Sequence, residues 1–248
     1  MSRRARLRRT DGFAEIGVDL HRTASVPHFH DTYAIGVFEG PVVVHCRGRA
    51  WPVAPGQLAV LNPREVHSGE MPPGLPQQML YPSPELLTDL FGRPEPADFG
   101  HPVVDDRELV ALLREALAAA LEGDEAPLRV VVRRFFETWG TPVAALRSDP
   151  AEAALAARAA ADLARPIGEL SREAGLSRSH YSRRFREALG LSPVDYRRQL
   201  RVDAARTLIE QGAPLSEAAA GAGFADQAHM TRQVRSILGV APSAFRRP

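Results

Sequence analysis

Hydrophobic positions along this chain follow two different periods. Residues 13–61 carry short runs of β-branched and aromatic residues, at Phe13–Leu20, Tyr33–Phe38, Val42–Arg47 and Gln57–Leu61. Gly40-Pro41, Pro52 and Pro55-Gly56 punctuate them as turns. Several short strands this close together predict a small β-barrel or sandwich. The period becomes helical over residues 105–122, where Leu109, Leu112, Leu113, Ala116, Leu117, Ala120 and Leu121 form one stripe. A second helix is predicted from Pro127, with Leu128, Val131, Val132, Phe135, Phe136 and Trp139 on one face. Two readings of this pair stand: the helices cover the β-domain, or they form a dimer interface. The proline-rich stretch 72–98 reads as irregular, placed to gate a pocket.

The last part of the chain is a repeat. Ile167, Leu170, Ala174-Gly175-Leu176, Tyr181, Phe185, Leu189-Gly190-Leu191-Ser192-Pro193 and Tyr196-Arg197 recur as Leu215, Ala218, Ala222-Gly223-Phe224, Met230, Val234, Leu238-Gly239-Val240-Ala241-Pro242 and Phe245-Arg246. The offset is 48 residues up to the glycines and 49 after them, so the second turn carries one extra residue. Each copy reads as a short helix, a glycine turn and a longer helix, over about 167–190 and 215–238. Gly175 and Gly223 fall where the chain must reverse, and Ser177 and Asp226 suit the N-caps of the helices that follow. Residues 193–211 join the copies as one helix, with a stripe of Tyr196, Leu200, Ala204 and Leu208 widened by Val202, Ala205 and Ile209.

If Tyr181 and Phe185 face a core, the opposite face carries Ser179, Ser182, Arg183 and Arg186. In the second copy it carries Gln227, Ala228, Thr231, Arg232 and Arg235. These side chains suit a major groove: Arg pairs with guanine O6 and N7, Gln with adenine, and Ala or a Thr methyl with thymine.

Charge sharpens this picture. The net charge of +1 hides 14 arginines and 8 acids in residues 165–248, against 17 arginines and 22 acids in residues 1–164. A basic rear on an acidic front fits a nucleic-acid-facing module joined to one that avoids it. At 248 residues, 44% hydrophobic and 25% charged, the chain reads as two soluble domains. No run approaches the ~20 apolar residues of a membrane span. Cys46 is the single cysteine, which excludes an internal disulfide and a cysteine-rich zinc site. The basic start lacks an apolar segment, so a cytoplasmic location is expected.

Residues 150–248 resemble the DNA-binding region of the AraC/XylS family of bacterial transcription regulators. The resemblance rests on residues 222–232 and 239–246 in the second unit, and on Leu176–Phe185 with Gly190–Pro193 in the first. Two positions depart from the family pattern. Val234 stands where an aromatic is usual, which predicts a thinner second core, and Ala228 stands where a polar residue is common.

The front, through His28–Val37, Pro55–Leu58 and Asn62–Gly69, is similar to the cupin domain that precedes this region in many such regulators. The resemblance implies an α+β multidomain chain: a basic disordered tail (1–12), a cupin-like effector-binding domain (13–100), a helical dimerisation segment (101–140), a linker (141–149) and the double helix-turn-helix domain (150–248). It implies a homodimer that binds promoter DNA under control of a small-molecule effector, with RNA polymerase as a partner for an activator, and no enzymatic activity.

His28 and His30 share a face of an extended segment, and Glu65 and His67 share one if their segment stays extended. With Tyr33 they are the candidate effector contacts. Cupin enzymes add a Glu shortly after the His pair, where Ala34 and Ile35 stand here. The leading reading is therefore an organic effector and no cofactor. The alternative is a sensor of a divalent metal held by His28, His30 and His67, with Glu65 as an oxygen donor. A cupin enzyme with a DNA-binding tail comes last.

Overall fold

The computed structural model describes residues 26–142 and 165–246, Ala159, and the backbone of residues 6–10 and 13–18. The chain separates into two compact units, one of residues 1–24 and 29–145, the other of residues 25–28 and 146–248.

The front unit holds β1 (Arg6–Thr10), β2 (Phe13–Val18), β3 (Ala34–Phe38), β4 (Val42–Cys46), β5 (Arg49–Val53), β6 (Leu58–Leu61), β7 (His67–Glu70), β8 (Gln77–Pro82), α1 (Pro84–Phe91), β9 (Ala97–Asp98), β10 (Val103–Val104), α2 (Arg107–Glu122), α3 (Ala126–Trp139) and β11 (Thr141–Pro142). One sheet runs β1-β2-β8-β3-β6-β10 and a second β5-β4-β7, with β9 and β11 paired apart. All five residues of β3 are buried, because this strand has a core on each face. Tyr33, Ile35 and Val37 join Leu58, Val60 and Leu80 in a core completed by α2 and α3. Ala34 and Phe38 join Ala59 and Leu61 on the opposite face, where Val42, Val44, Cys46 and Val53 of the second sheet meet them. The two sheets thus face each other over an apolar layer, in a β-rich, cupin-like domain.

Several expectations are corrected here. Arg6–Thr10, assigned to a disordered tail, pairs antiparallel with β2. β1 lies at the sheet edge, and edge strands tolerate charge. The stretch 72–98, expected to be irregular, contains β8, α1 and β9. Its prolines act as punctuation: Pro82 ends β8, and Pro84 opens α1 behind the Ser83 cap, whose Oγ accepts from the Leu86 N–H at 3.0 Å. Thr141 and Pro142, assigned to the linker, form β11 against β9. The rest of the expected linker, residues 143–149, lies outside the described residues.

In the rear unit, α4 (Ile167–Glu173) and α5 (Arg178–Leu189) form the first helix-turn-helix. α6 (Pro193–Glu210) links it to α7 (Leu215–Gly221) and α8 (Gln227–Leu238), and a 3₁₀ turn follows at Pro242–Phe245. Gly175 and Gly223 both take positive φ, 66° and 75°. The next N–H reaches back in each case, Leu176 to the Ser171 carbonyl and Phe224 to the Ala219 carbonyl, both at 2.9 Å. This closes both first helices in the same way.

The stripe of α6 is inverted from the expected one. Val202, Ala205 and Ile209 are fully buried in the second core, while Leu200, Ala204 and Leu208 are half-buried. Tyr196, near its start, packs against Tyr181 and Phe185 of the first core instead. One helix therefore serves both cores. Val234 is also fully buried, among Met230, Ile237, Phe245 and the α6 residues, so the expected thinning of the second core does not occur.

No helix among the described residues is long and apolar enough to cross a membrane.

Candidate functional site

The longer helices of the two helix-turn-helix units, the expected reading helices, are α5 and α8. Each starts at its expected cap: Ser177 Oγ accepts from the His180 N–H at 3.3 Å, and Asp226 Oδ1 from the His229 N–H at 2.6 Å. Burial of Tyr181 and Phe185 turns the other side of α5 outward, leaving Ser179, Arg183 and Arg186 exposed and Ser182 half-buried. On α8, Met230, Val234 and Ile237 are buried. Gln227, Ala228, Arg232 and Arg235 are exposed, and Thr231 is half-buried.

Three arginines elsewhere in this unit form ion pairs. Arg165 pairs with Glu169 and Glu173, Arg198 with Asp195, and Arg206 with Glu210. Among the described ion pairs none takes Arg183, Arg186, Arg232 or Arg235. All four are exposed. Arg178, which sequence reasoning passed over, also lies exposed at the start of α5, with its guanidinium against Gly168. A Cβ on Gly168 would lie 2.5 Å from Arg178 Nε.

The structure brings three of the five candidate effector residues together. One ring nitrogen from each of His28, His30 and His67 lies within 4.8 Å of the others. His28 and His67 are buried and His30 half-buried. His28 and His30 come from the extended lead into β3. His67 starts β7, opposite Cys46 on β4. The His30 ring lies 5.2 Å from that of His67 and meets Tyr81 edge-on at 4.8 Å. Tyr81 was not anticipated, since its strand was read as irregular.

The other two candidates serve elsewhere. Tyr33 is fully buried in the helix-side core, its hydroxyl donating to the Ala97 carbonyl at 2.5 Å and its ring edge-on to Phe136 at 4.8 Å. Burial raises its pKa to about 12, so the hydroxyl stays protonated at neutral pH. The Glu65 carboxylate accepts from Arg47 at 2.5 and 2.9 Å and from the Asn62 N–H at 3.0 Å. Arg47 also donates to the carbonyls of Phe99 and Gly100. Glu65 therefore ties the 62–65 turn to β4 and the 99–100 segment. Burial and then the Glu65 charge raise the Cys46 thiol to about 11, which keeps it protonated.

A separate feature was not legible in the sequence: an open groove of about 750 Å³, lined mainly by Pro41, Val42, Val43, Pro52, Val53 and Met71, with Gln57 and Glu70 among its polar residues.

A profile of the AraC-like ligand binding domain matches residues 13–133, and a helix-turn-helix domain profile matches residues 170–248. With the duplicated reading helices, this defines a ligand-binding domain joined to a DNA-binding one. The chain belongs to the AraC/XylS family of transcription regulators. YbfI of Bacillus subtilis (strain 168), described as an uncharacterized HTH-type transcriptional regulator, is 28% identical over 222 residues, 82% of this chain and 80% of that one. The HTH-type transcriptional regulator GlxA of Rhizobium meliloti (strain 1021) is 29% identical over 160 residues, 61% of this chain and 46% of its own. The crystal structure of unsaturated fatty acid bound ToxT from Vibrio cholerae strain SCE256 superposes with a TM-score of 0.61. It covers 95% of each chain at 14% identity, so what is shared is the fold.

Proposed function

We propose that this protein is an effector-responsive regulator that binds promoter DNA in the cytoplasm through both helix-turn-helix units, and that it is not an enzyme. The observation that carries the reading is the pair of capped, outward-facing helices whose arginines form no ion pair among the described residues. α6 spans 18 residues, about 27 Å of helix. A rigid spacer of that size suits two reading helices set about one DNA turn, roughly 34 Å, apart.

The working unit is a homodimer. α3 leaves Val130 68% and Trp139 41% exposed, apolar surface that a second copy would cover. ToxT was solved with an unsaturated fatty acid. For this chain a small molecule with an apolar body fits the groove beside β4 and β5. Such a molecule controls DNA binding only by favouring one of two arrangements of the dimer. An activator of this design would contact RNA polymerase as well.

The test is a footprint of the full chain on DNA selected from a random pool. The expected pattern is two protected blocks per subunit, with Arg183→Ala weakening one and Arg232→Ala the other. Binding that ignores sequence, or a footprint unchanged by both substitutions, overturns the reading.

A further inference from the structure

We infer that Arg172 and Arg178, gathered on Gly168, form a seat for one DNA phosphate, and that the second helix-turn-helix unit lacks it. Gly168 is buried near the start of α4, and Arg178 opens α5. The Arg178 guanidinium fills the space that a side chain at Gly168 would take. A Cβ there would stand 2.5 Å from Arg178 Nε and 2.7 Å from its Cζ. Arg172 Nε donates to the Gly168 carbonyl at 3.1 Å. Two guanidinium groups from different helices thus converge on one glycine, and both arginines remain exposed to solvent.

Charge around this point is unbalanced. α4 carries two acids, Glu169 and Glu173, and Arg165 engages both. Among the described ion pairs none takes Arg172 or Arg178. Two like charges held at one residue favour an anion that bridges them. Position says which anion. Arg178 comes one residue before Ser179, so it is turned about 100° from the outward face of α5, toward α4. In a helix-turn-helix the second helix enters the major groove while the first crosses the sugar–phosphate backbone. A cation on the flank of the second helix, set against the first, therefore meets a phosphate and not a base edge.

The duplication supplies a contrast. Gly168, Arg172 and Arg178 correspond to Ser216, Ala220 and Gln227 in the second unit. None of these three is charged, and α7 carries Glu217 but no basic residue. The two units share the shape of the turn and differ in this seat. The first unit therefore grips the backbone at a point where the second does not, and that grip carries no sequence information. The inference rests on the DNA-binding reading of the rear unit and adds to it an anchoring pair outside the reading face.

The experiment measures the affinity of the full chain for DNA selected from a random pool and for a scrambled duplex, over a range of salt. Arg178→Ala should weaken both by a similar factor and flatten the plot of log affinity against log salt by about 0.9, the share of one phosphate. Between about 50 and 200 mM salt the variant should then lose affinity about three- to fourfold less than the wild type does. Removing Arg172 as well should leave the total change in slope at about 0.9, because both arginines serve one phosphate. Gly168→Ala removes no charge. Its methyl group displaces the flexible end of Arg178, so binding should weaken severalfold, with no further loss in the Arg178→Ala background. Alanine suits a helix better than glycine, so this variant keeps its fold, as circular dichroism and a thermal melt will check. Ser216→Ala, the matching position in the second unit, should leave the slope unchanged. A slope unaltered by Arg178→Ala, or a folded Gly168→Ala protein that binds as the wild type does, overturns the seat. A footprint that persists in those cases leaves the regulator reading standing. A wild-type chain that protects no DNA at any salt overturns that reading and the seat with it.

Discussion

The two helix-turn-helix units share a frame and differ in what fills it. Both reverse at a positive-φ glycine, and both end the reading helix at another, Gly190 and Gly239. The first core is aromatic, with Phe185 5.9 Å from Tyr181 and 5.4 Å from Tyr196, ring centre to ring centre. The second puts Met230, Val234 and Ile237 at the centre and Phe224 and Phe245 around them. The outward faces differ as well: hydroxyls and arginines on α5, an amide, a methyl, a threonine and arginines on α8. Backbone geometry is what the duplication keeps, and side chains are where the units diverge. On the proposed function, a protein built this way would read two dissimilar half-sites, since each face offers different partners to the bases.

Breaking the cores gives the largest effects. Phe185→Ala should cost about 3–5 kcal/mol and Met230→Ala about 2–5 kcal/mol of stability in denaturant melts. Each loss should fall on the hydrogen-exchange protection of its own unit, and equal losses in both would mean the units do not fold as separate cores. Next come the reading faces. Arg183→Ala and Arg232→Ala should each remove ~1–3 kcal/mol of specific affinity, on different half-sites. Titrations against operators scrambled one half at a time will show whether the two faces are independent.

Val234→Phe tests whether the second core has room for the family's usual aromatic. Val234 is fully buried among well-packed neighbours. The change should therefore lower stability by about 1–3 kcal/mol, and a rise in melting temperature would show a void instead. The smallest contrast lies in the caps. Asp226→Ala should cost ~1–2 kcal/mol and Ser177→Ala ~0.5–1 kcal/mol. The Asp226 bond is shorter and carries charge at a helix N-terminus. A reversed order in thermal melts would contradict this.

The rear unit was legible because its signals are local. Glycine turns, Ser177 and Asp226 caps and a helical stripe are each complete within a few residues. The α6 stripe was misread because its pattern is apolar on more than one side, and only the neighbouring helices decide which side is buried. In the front unit β2, β3, β4 and β6 were visible as apolar runs, while β5 and β7 were not. Those two are edge strands: β5 contains Pro52, and β7 is mostly polar. The His28–His30 pair followed from strand alternation. That His67 joins them depends on the register of β7 on β4, which spacing alone does not give. Tyr33 and Glu65 resembled ligand contacts only because Ala97 and Arg47, their partners, are distant in sequence.

The helix shared by both cores sets a constraint on how such a regulator and its binding sites can drift apart. One residue inserted into α6 would rotate the second reading helix by about 100° and advance it by ~1.5 Å. On the DNA side, about three added base pairs give a similar rotation, at ~10–10.5 base pairs per turn. They also lengthen the site by roughly 10 Å, at ~3.4 Å each. No change of operator spacing therefore compensates for a change of helix length. On the proposed function, half-site sequences could then evolve one base at a time, while the interval between them would stay unchanged for as long as α6 keeps its length.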